Sequence, residues 1–254
     1  MNHSCSSYRV HFVKGLTLGS SVSPYDSRLG AVRYLSYARF QAALNSLRPV
    51  PGGRALDFGC WTGHFLPSLM KYFPDVWGVD DDSASVLDAV PDLWTILQVA
   101  RRLCESEAGI RAHPGLVKAT GSALPFSDGY FDVVFCIDTL THVPISRRLD
   151  VIHELRRITK PDGQLIFSLP IETGPMQFLK GVARTLTGKR IDPDTRCYDF
   201  RGDLESLRSS FSACKTRFFP VDRLGSLNPF VVADCRMEPG RFEGSATEWD
   251  CAVV

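Results

Sequence analysis

The sequence predicts a doubly wound α/β fold: a mostly parallel, seven-stranded sheet with an antiparallel edge pair and an N-terminal helix. Three observations predict it. Short apolar runs rich in β-branched and aromatic residues alternate with helix-like stretches from Arg54 to Leu169, as expected for a parallel sheet covered on both faces. The first run ends in a glycine-containing turn that enters a helix, Asp57-Phe58-Gly59-Cys60-Trp61-Thr62-Gly63. The last two runs, Cys214–Phe219 and Phe230–Asp234, are joined through a Gly/Asn/Pro turn without a helix, so they are expected to pair antiparallel at the sheet edge.

The elements follow in order. Residues 1–24 are polar and Ser-rich, and are expected to form a flexible segment without the apolar core of a signal peptide. Ser27 caps a helix over 27–47, with Leu29, Val32, Leu35, Ala43 and Leu47 near one face. Pro49 to Gly53 breaks the chain before the first strand, Arg54–Phe58. A helix from about Thr62 to Tyr72 leads to the second strand, Val76–Val79, and another helix begins near Ser83. An inserted helix is expected over 92–105. Leu116–Ala119 is a weak third strand and Phe131–Ile137 a strong fourth. An amphipathic helix over Leu149–Thr159 closes at Pro161-Asp162-Gly163, and Gln164–Leu169 is the fifth strand. Helices over 174–190 and Asp203–Phe211 precede the edge pair, and 239–254 is expected to be a flexible tail, leaving one domain over 25–238.

Composition excludes several functions. Lys plus Arg number 29 against 28 acids, a net charge of +1, which gives no global attraction for nucleic acid. No apolar run approaches the roughly 18 residues of a membrane-spanning helix. The eight cysteines show no Cys-x-x-Cys spacing, so no metal site is expected, and reduced thiols suit a cytoplasmic location. Cys251-Ala-Val-Val254 ends in an unusual residue for prenylation and follows an acidic stretch, so it reads as plain tail.

The chemistry concentrates at strand ends. Gly59 and Gly63 either let backbone approach a ligand where a helix N-terminus offers unpaired N–H groups, or serve an ordinary strand-to-helix turn. Asp80, twenty-three residues after Asp57, ends the second strand, where an acid accepts ribose hydroxyls of a nucleoside. Asp80-Asp81-Asp82 also fits a solvated loop capping the next helix. A nicotinamide-dependent oxidoreductase uses the same acid, but it predicts a Gly-x-Gly-x-x-Gly turn, and Cys60 and Trp61 occupy that space.

Four segments in register extend this reading. Asp57-Phe-Gly-Cys-Trp-Thr-Gly63 resembles the first motif of class I S-adenosylmethionine-dependent methyltransferases. Leu124-Pro-Phe-Ser-Asp-Gly-Tyr-Phe-Asp-Val-Val134 is similar to a signature of their ubiquinone/menaquinone-type subgroup. Asp138-Thr-Leu-Thr-His-Val143 and Glu154-Leu-Arg-Arg-Ile-Thr-Lys-Pro-Asp-Gly163 resemble its two later segments. The resemblance covers about Arg54 to Pro170 and implies a Rossmann-like methyltransferase domain with S-adenosyl-L-methionine as cofactor.

By position, the resemblance gives Asp57, Phe58, Gly59, Cys60, Trp61 and Gly63 to the methionine part of that cofactor and Asp80 to the ribose. Asp81, Thr120, Gly121 and Ser122 would edge the adenine, and Ile137 and Asp138 would line the floor. His142, with Asp138, is a candidate base near the transferred methyl, or a structural histidine opening the next helix. The sequence departs from the family at Trp61, where glycine is frequent, at Thr120, where an acid is usual, at Asp162, which replaces a glycine, and in the 92–105 insertion. The 174–190 helix pairs Met176, Leu179, Val182 and Leu186 with Lys180, Arg184, Lys189 and Arg190. It suits the wall of an acceptor pocket, a membrane surface, or ordinary packing on the sheet. The expected acceptor is a small or lipid-linked molecule, and the alternative function is non-catalytic cofactor binding or partner docking.

Overall fold

Runs that alternate along the chain become neighbours in one seven-stranded sheet in the computed structural model, which describes residues 8–10, 30–48, 52–61, 63–81, 114–171 and 198–237. The strands are β1 (Arg54–Phe58), β2 (Asp75–Asp80), β3 (Gly115–Lys118), β4 (Phe131–Ile137), β5 (Thr159–Pro170), β6 (Ala213–Phe219) and β7 (Phe230–Arg236). Their order is β3-β2-β1-β4-β5-β7-β6. The pairs from β3 to β5 are parallel, whereas β7 runs antiparallel to both β5 and β6. The order reverses between β1 and β4, the topological switch point where such sheets open a crevice at their strand ends.

Successive residues of β1 face opposite sides of the sheet. Ala55 packs with Tyr37, Phe40, Ala43, Leu44, Phe65 and Phe135 on one face, and Leu56 packs with Val134, Val151, Ile152 and Leu155 on the other. Helices α1 (Gly30–Ser46) and α2 (Leu66–Leu69) supply the first face, α3 (Ile145–Ile158) and α4 (Phe200–Ser210) the second. Full burial stabilises each large apolar side chain by roughly 1.5–3 kcal/mol.

Several boundaries differ from the sequence expectation, each for a local reason. The inward face of α1 carries Tyr37, Phe40, Ala43 and Leu44, with Leu47 buried just past its end, while Leu35 is half-buried; the expected start at Ser27 lies outside the described residues. The expected helix over 62–72 is regular only at Leu66–Leu69, because Pro67 has no N–H to donate and fits only the first turn. Helix α3 begins at Ile145, a turn before the expected Leu149, because Ile145 and Leu149 both face solvent and the inward apolar stripe starts at Val151. Helix α4 begins at Phe200, since the Asp199 carboxylate accepts from the Arg201 N–H and caps it. Pro161-Asp162-Gly163, expected as a turn before a strand, is a bulge within β5. Thr159 already pairs with Phe131 and pairing resumes at Gln164↔Val133, while the Lys160 ammonium holds Asp132 at 2.7 Å. The helices expected near Ser83, over 92–105 and over 174–190 lie outside the described residues, as do 1–7 and 238–254.

Candidate functional site

Parallel pairing sets Asp57 beside Gly78 and ends β2 on Asp80, so both carboxylates stand at the carboxyl edge of the sheet. The turn leaving β1 folds back on β2. The N–H groups of Gly59 and Cys60 both donate to the Val79 carbonyl, at 2.8 and 3.0 Å, and the Gly63 N–H donates to the Cys60 carbonyl at 2.7 Å. The Trp61 N–H then donates to the Asp80 carboxylate at 2.6 Å. Gly59, Trp61 and Gly63 all take positive φ, at 76°, 39° and 71°. Trp61 is therefore a bulky residue in a conformation that glycine adopts at no steric cost, and the Asp80 hydrogen bond helps hold it there.

The close approach at Gly59 is made by the protein itself. A Cβ on this residue would lie 2.2 Å from the Thr139 side chain, and Thr139 in turn donates its hydroxyl to the Phe58 carbonyl at 3.0 Å. Turn and β4 exit are thus packed against one another across the switch point.

Beside the turn lies a small cavity of ≈ 20 Å³ lined by Asp57, Gly59, Cys60, Trp61 and Ile137, with Phe40 of α1 and His64. Its electrostatics favour a cation. Burial, and secondly the charge of Asp80, push the Asp57 carboxyl up to about 8 from an ordinary 3.8. Burial raises Asp80 to about 6, opposed by the hydrogen bond from Trp61. Among the described residues no lysine or arginine contributes to either shift. A positive ligand group would relieve both. Burial, then the same two carboxylates, drives the Cys60 thiol well above its usual range, which makes it wall rather than nucleophile.

The other sequence-predicted residues are placed as follows. Ile137 is buried at the end of β4. Asp138 follows at φ 65°, its N–H donating to the Ser168 carbonyl at 3.0 Å and its carboxylate ion-paired with Arg39. Phe58 lies in the core of the opposite face. Asp81, Gly121 and Ser122 are half-buried after β2 and β3, and Thr120 is exposed; the Ser122 hydroxyl accepts from Arg147 at 2.6 Å. His142 is exposed in a short 3₁₀ turn, Leu140–His142, and does not line the cavity. Among the described residues no group of three or more His, Cys, Asp or Glu is arranged to hold a metal.

Sequence reasoning missed Arg39, Phe40, His64 and Thr139. Arg39 and Phe40 come from α1, far from the turn in sequence, and Arg39 also lies 5.8 Å over the Phe230 ring. Nothing in the chain marks that approach. His64 was within reach, because it belongs to the turn, where its burial follows from the turn folding inward.

Residues 56–167 match the family model described as a methyltransferase domain. The chain is 31% identical over 128 residues to an uncharacterized methyltransferase of Mycobacterium sp. strain KMS, covering 49% of this chain and 42% of that protein. It is 33% identical over 118 residues to a ubiquinone biosynthesis O-methyltransferase of Pectobacterium carotovorum, covering 46% and 43%. The matched stretch is thus under half of each relative. In fold, the chain is similar to a SAM-dependent methyltransferase from Aquifex aeolicus, with a TM-score of 0.53, 18% identity, and coverage of 77% of this chain and 88% of that one. No helix among the described residues is long and apolar enough to cross a membrane.

Proposed function

We propose that this chain, with its methyltransferase-domain match over residues 56–167, is an S-adenosyl-L-methionine-dependent methyltransferase acting on a small-molecule acceptor. The single observation that carries the reading is the pairing of buried Asp57 with half-buried Asp80, locked to the Gly59–Gly63 turn. The residues fit the cofactor. Asp57 is a buried acid beside a small cavity and suits the ammonium of the methionine part. Asp80 has lone pairs beyond the one used by Trp61 and suits ribose hydroxyls. When bound, the cofactor supplies an electrophilic methyl on a positively charged sulfur.

The protein's own contribution is to bind, orient and exclude water. The turn between Gly59 and Gly63 would hold the methionine part of the cofactor, with Phe40, Trp61 and Ile137 beside it. Burial of Asp57 strengthens its attraction for positive charge. Alignment of an O, N or C nucleophile then carries most of the rate, since proximity and orientation alone contribute several kcal/mol. Asp138, held in place by Arg39, is better positioned than the exposed His142 to meet an acceptor at the end of β4.

The acceptor class is drawn from the relatives. The resemblance to a ubiquinone biosynthesis O-methyltransferase favours a ring hydroxyl, carried on a small or lipid-linked molecule. Transfer of labelled methyl from S-adenosylmethionine to a panel of hydroxylated aromatic acceptors, with and without an isoprenoid chain, tests it. Label on a ring oxygen supports the reading, and label confined to amines or carbon overturns the acceptor class.

A further inference from the structure

The antiparallel edge pair brings two thiols face to face. Cys214 of β6 and Cys235 of β7 are direct partners in the strand register, and both are free cysteines. The Cys235 thiol donates to the Cys214 sulfur at an Sγ–Sγ separation of 3.1 Å. Directly opposed residues of an antiparallel pair have Cα atoms about 4.5–5.5 Å apart, which lies inside the roughly 4.4–6.8 Å range of disulfides. About 1 Å of sulfur movement therefore separates the pair from a bond of about 2.05 Å.

We propose that Cys214 and Cys235 form a reversible oxidation site that closes a disulfide across the edge hairpin on exposure to a small-molecule disulfide. Cys214 is half-buried and Cys235 fully buried, so the outer thiol meets the oxidant first. The Cys214 thiolate attacks one sulfur of the small disulfide, breaking its S–S bond, forming a mixed disulfide and releasing one thiolate. Cys235 then attacks the Cys214 sulfur, and its proton leaves with the second small thiol. Two protein thiols are oxidised and one small disulfide is reduced to two thiols. The neighbouring chemistry supports this order. The hydrogen bond from Cys235, opposed by burial and aided by Arg208, holds the Cys214 thiol below its usual range, whereas Cys235 is held far above it. The thiolate is the attacking form.

The closed loop spans 21 residues of hairpin. Its other end is the stacked pair Phe219 and Phe230, at 4.9 Å, beneath Arg39. Oxidation staples the sheet edge at the end away from the Asp57–Asp80 site, so it should stabilise the fold without changing the cofactor site.

The test incubates the reduced full-length protein with oxidised glutathione, then maps peptides by mass spectrometry without reduction. The expected product is a Cys214–Cys235 cross-linked peptide, two hydrogens lighter than the two reduced peptides together, and a melting midpoint about 5 °C or more higher, both reversed by dithiothreitol. Cys235→Ser should accumulate glutathione on Cys214 because the second step is gone. Cys214→Ser should leave Cys235 unmodified and the midpoint unmoved by glutathione disulfide. Recovery of both wild-type cysteines as free thiols, or as a persistent mixed disulfide at Cys214, would overturn the proposal.

Discussion

The Trp61 backbone N–H donates to the Asp80 carboxylate at 2.6 Å, so the acid that ends β2 is fastened to the turn that leaves β1. Asp80 thereby has two tasks, holding a non-glycine residue at positive φ and presenting its remaining lone pairs at the strand edge. Asp80→Ala should weaken S-adenosylhomocysteine binding by about 1.5–3 kcal/mol, as for lost hydrogen bonds to a charged group. Calorimetry checks this, and unchanged affinity would make the acid a turn-holding residue alone.

Asp57 and Asp80 make the chain's stability depend on pH in a stated direction. Both titrate above the ordinary 3.8, at about 8 and about 6, so the folded chain binds more protons than the unfolded one. Their stabilising effect is complete below pH 4 and is lost as pH rises, through about 6 for Asp80 and about 8 for Asp57. Asp57→Asn should show a flatter stability curve than the wild type between about pH 5 and 8, measured by denaturant titration. A cationic ligand should release a proton from Asp57 on binding, so wild-type affinity should rise from about pH 6 to 8. Equal pH slopes for wild type and Asp57→Asn would remove Asp57 from this role.

Gly59 is required by the fold before it is required by a ligand. A Cβ there would stand 2.2 Å from Thr139, at φ 76°. Gly59→Ala should cost about 2–4 kcal/mol, combining left-handed strain with overpacking. Gly59→Ala combined with Thr139→Ala should recover the packing part but not the strain. Denaturant unfolding of the two variants measures the division.

Arg39 ties α1 to the carboxyl edge through Asp138. The pair is neither fully buried nor fully exposed, with side chains 18% and 27% accessible, so its loss should cost about 1–3 kcal/mol, between the surface and buried cases. Arg39→Gln should speed amide exchange in α1 while leaving β1 and β4 protected. A double-mutant cycle with Asp138→Asn should show non-additivity, whereas strictly additive effects would mean the two side chains act separately.

How legible the chain is depends on whether a contact leaves a local trace. Phe131–Ile137 is a strand in sequence and in structure because a continuous β-branched and aromatic run has few other homes. Asp57 and Asp80 were readable because strand ends next to glycine-containing turns recur in this architecture. The start of α3 was not, since Ile145 and Leu149 are apolar yet face solvent while Arg148 is buried against Asp203. The Arg39–Asp138 pair joins residues 99 apart, and neither residue type announces the other. Gly59 was legible as a position that excludes a side chain, but the occupant of that space, Thr139, comes from another strand's exit and only packing reveals it.

The most direct measurement is calorimetric titration of the purified chain with S-adenosylmethionine, S-adenosylhomocysteine, NAD and NADP under one buffer condition. A buried acid beside the turn that leaves β1, with a second acid at the strand edge, predicts binding of both adenosyl ligands. It also predicts that Asp80→Ala weakens both and that neither nicotinamide dinucleotide binds. Equal or tighter binding of NAD, or no binding of either adenosyl ligand to folded protein, would contradict the account.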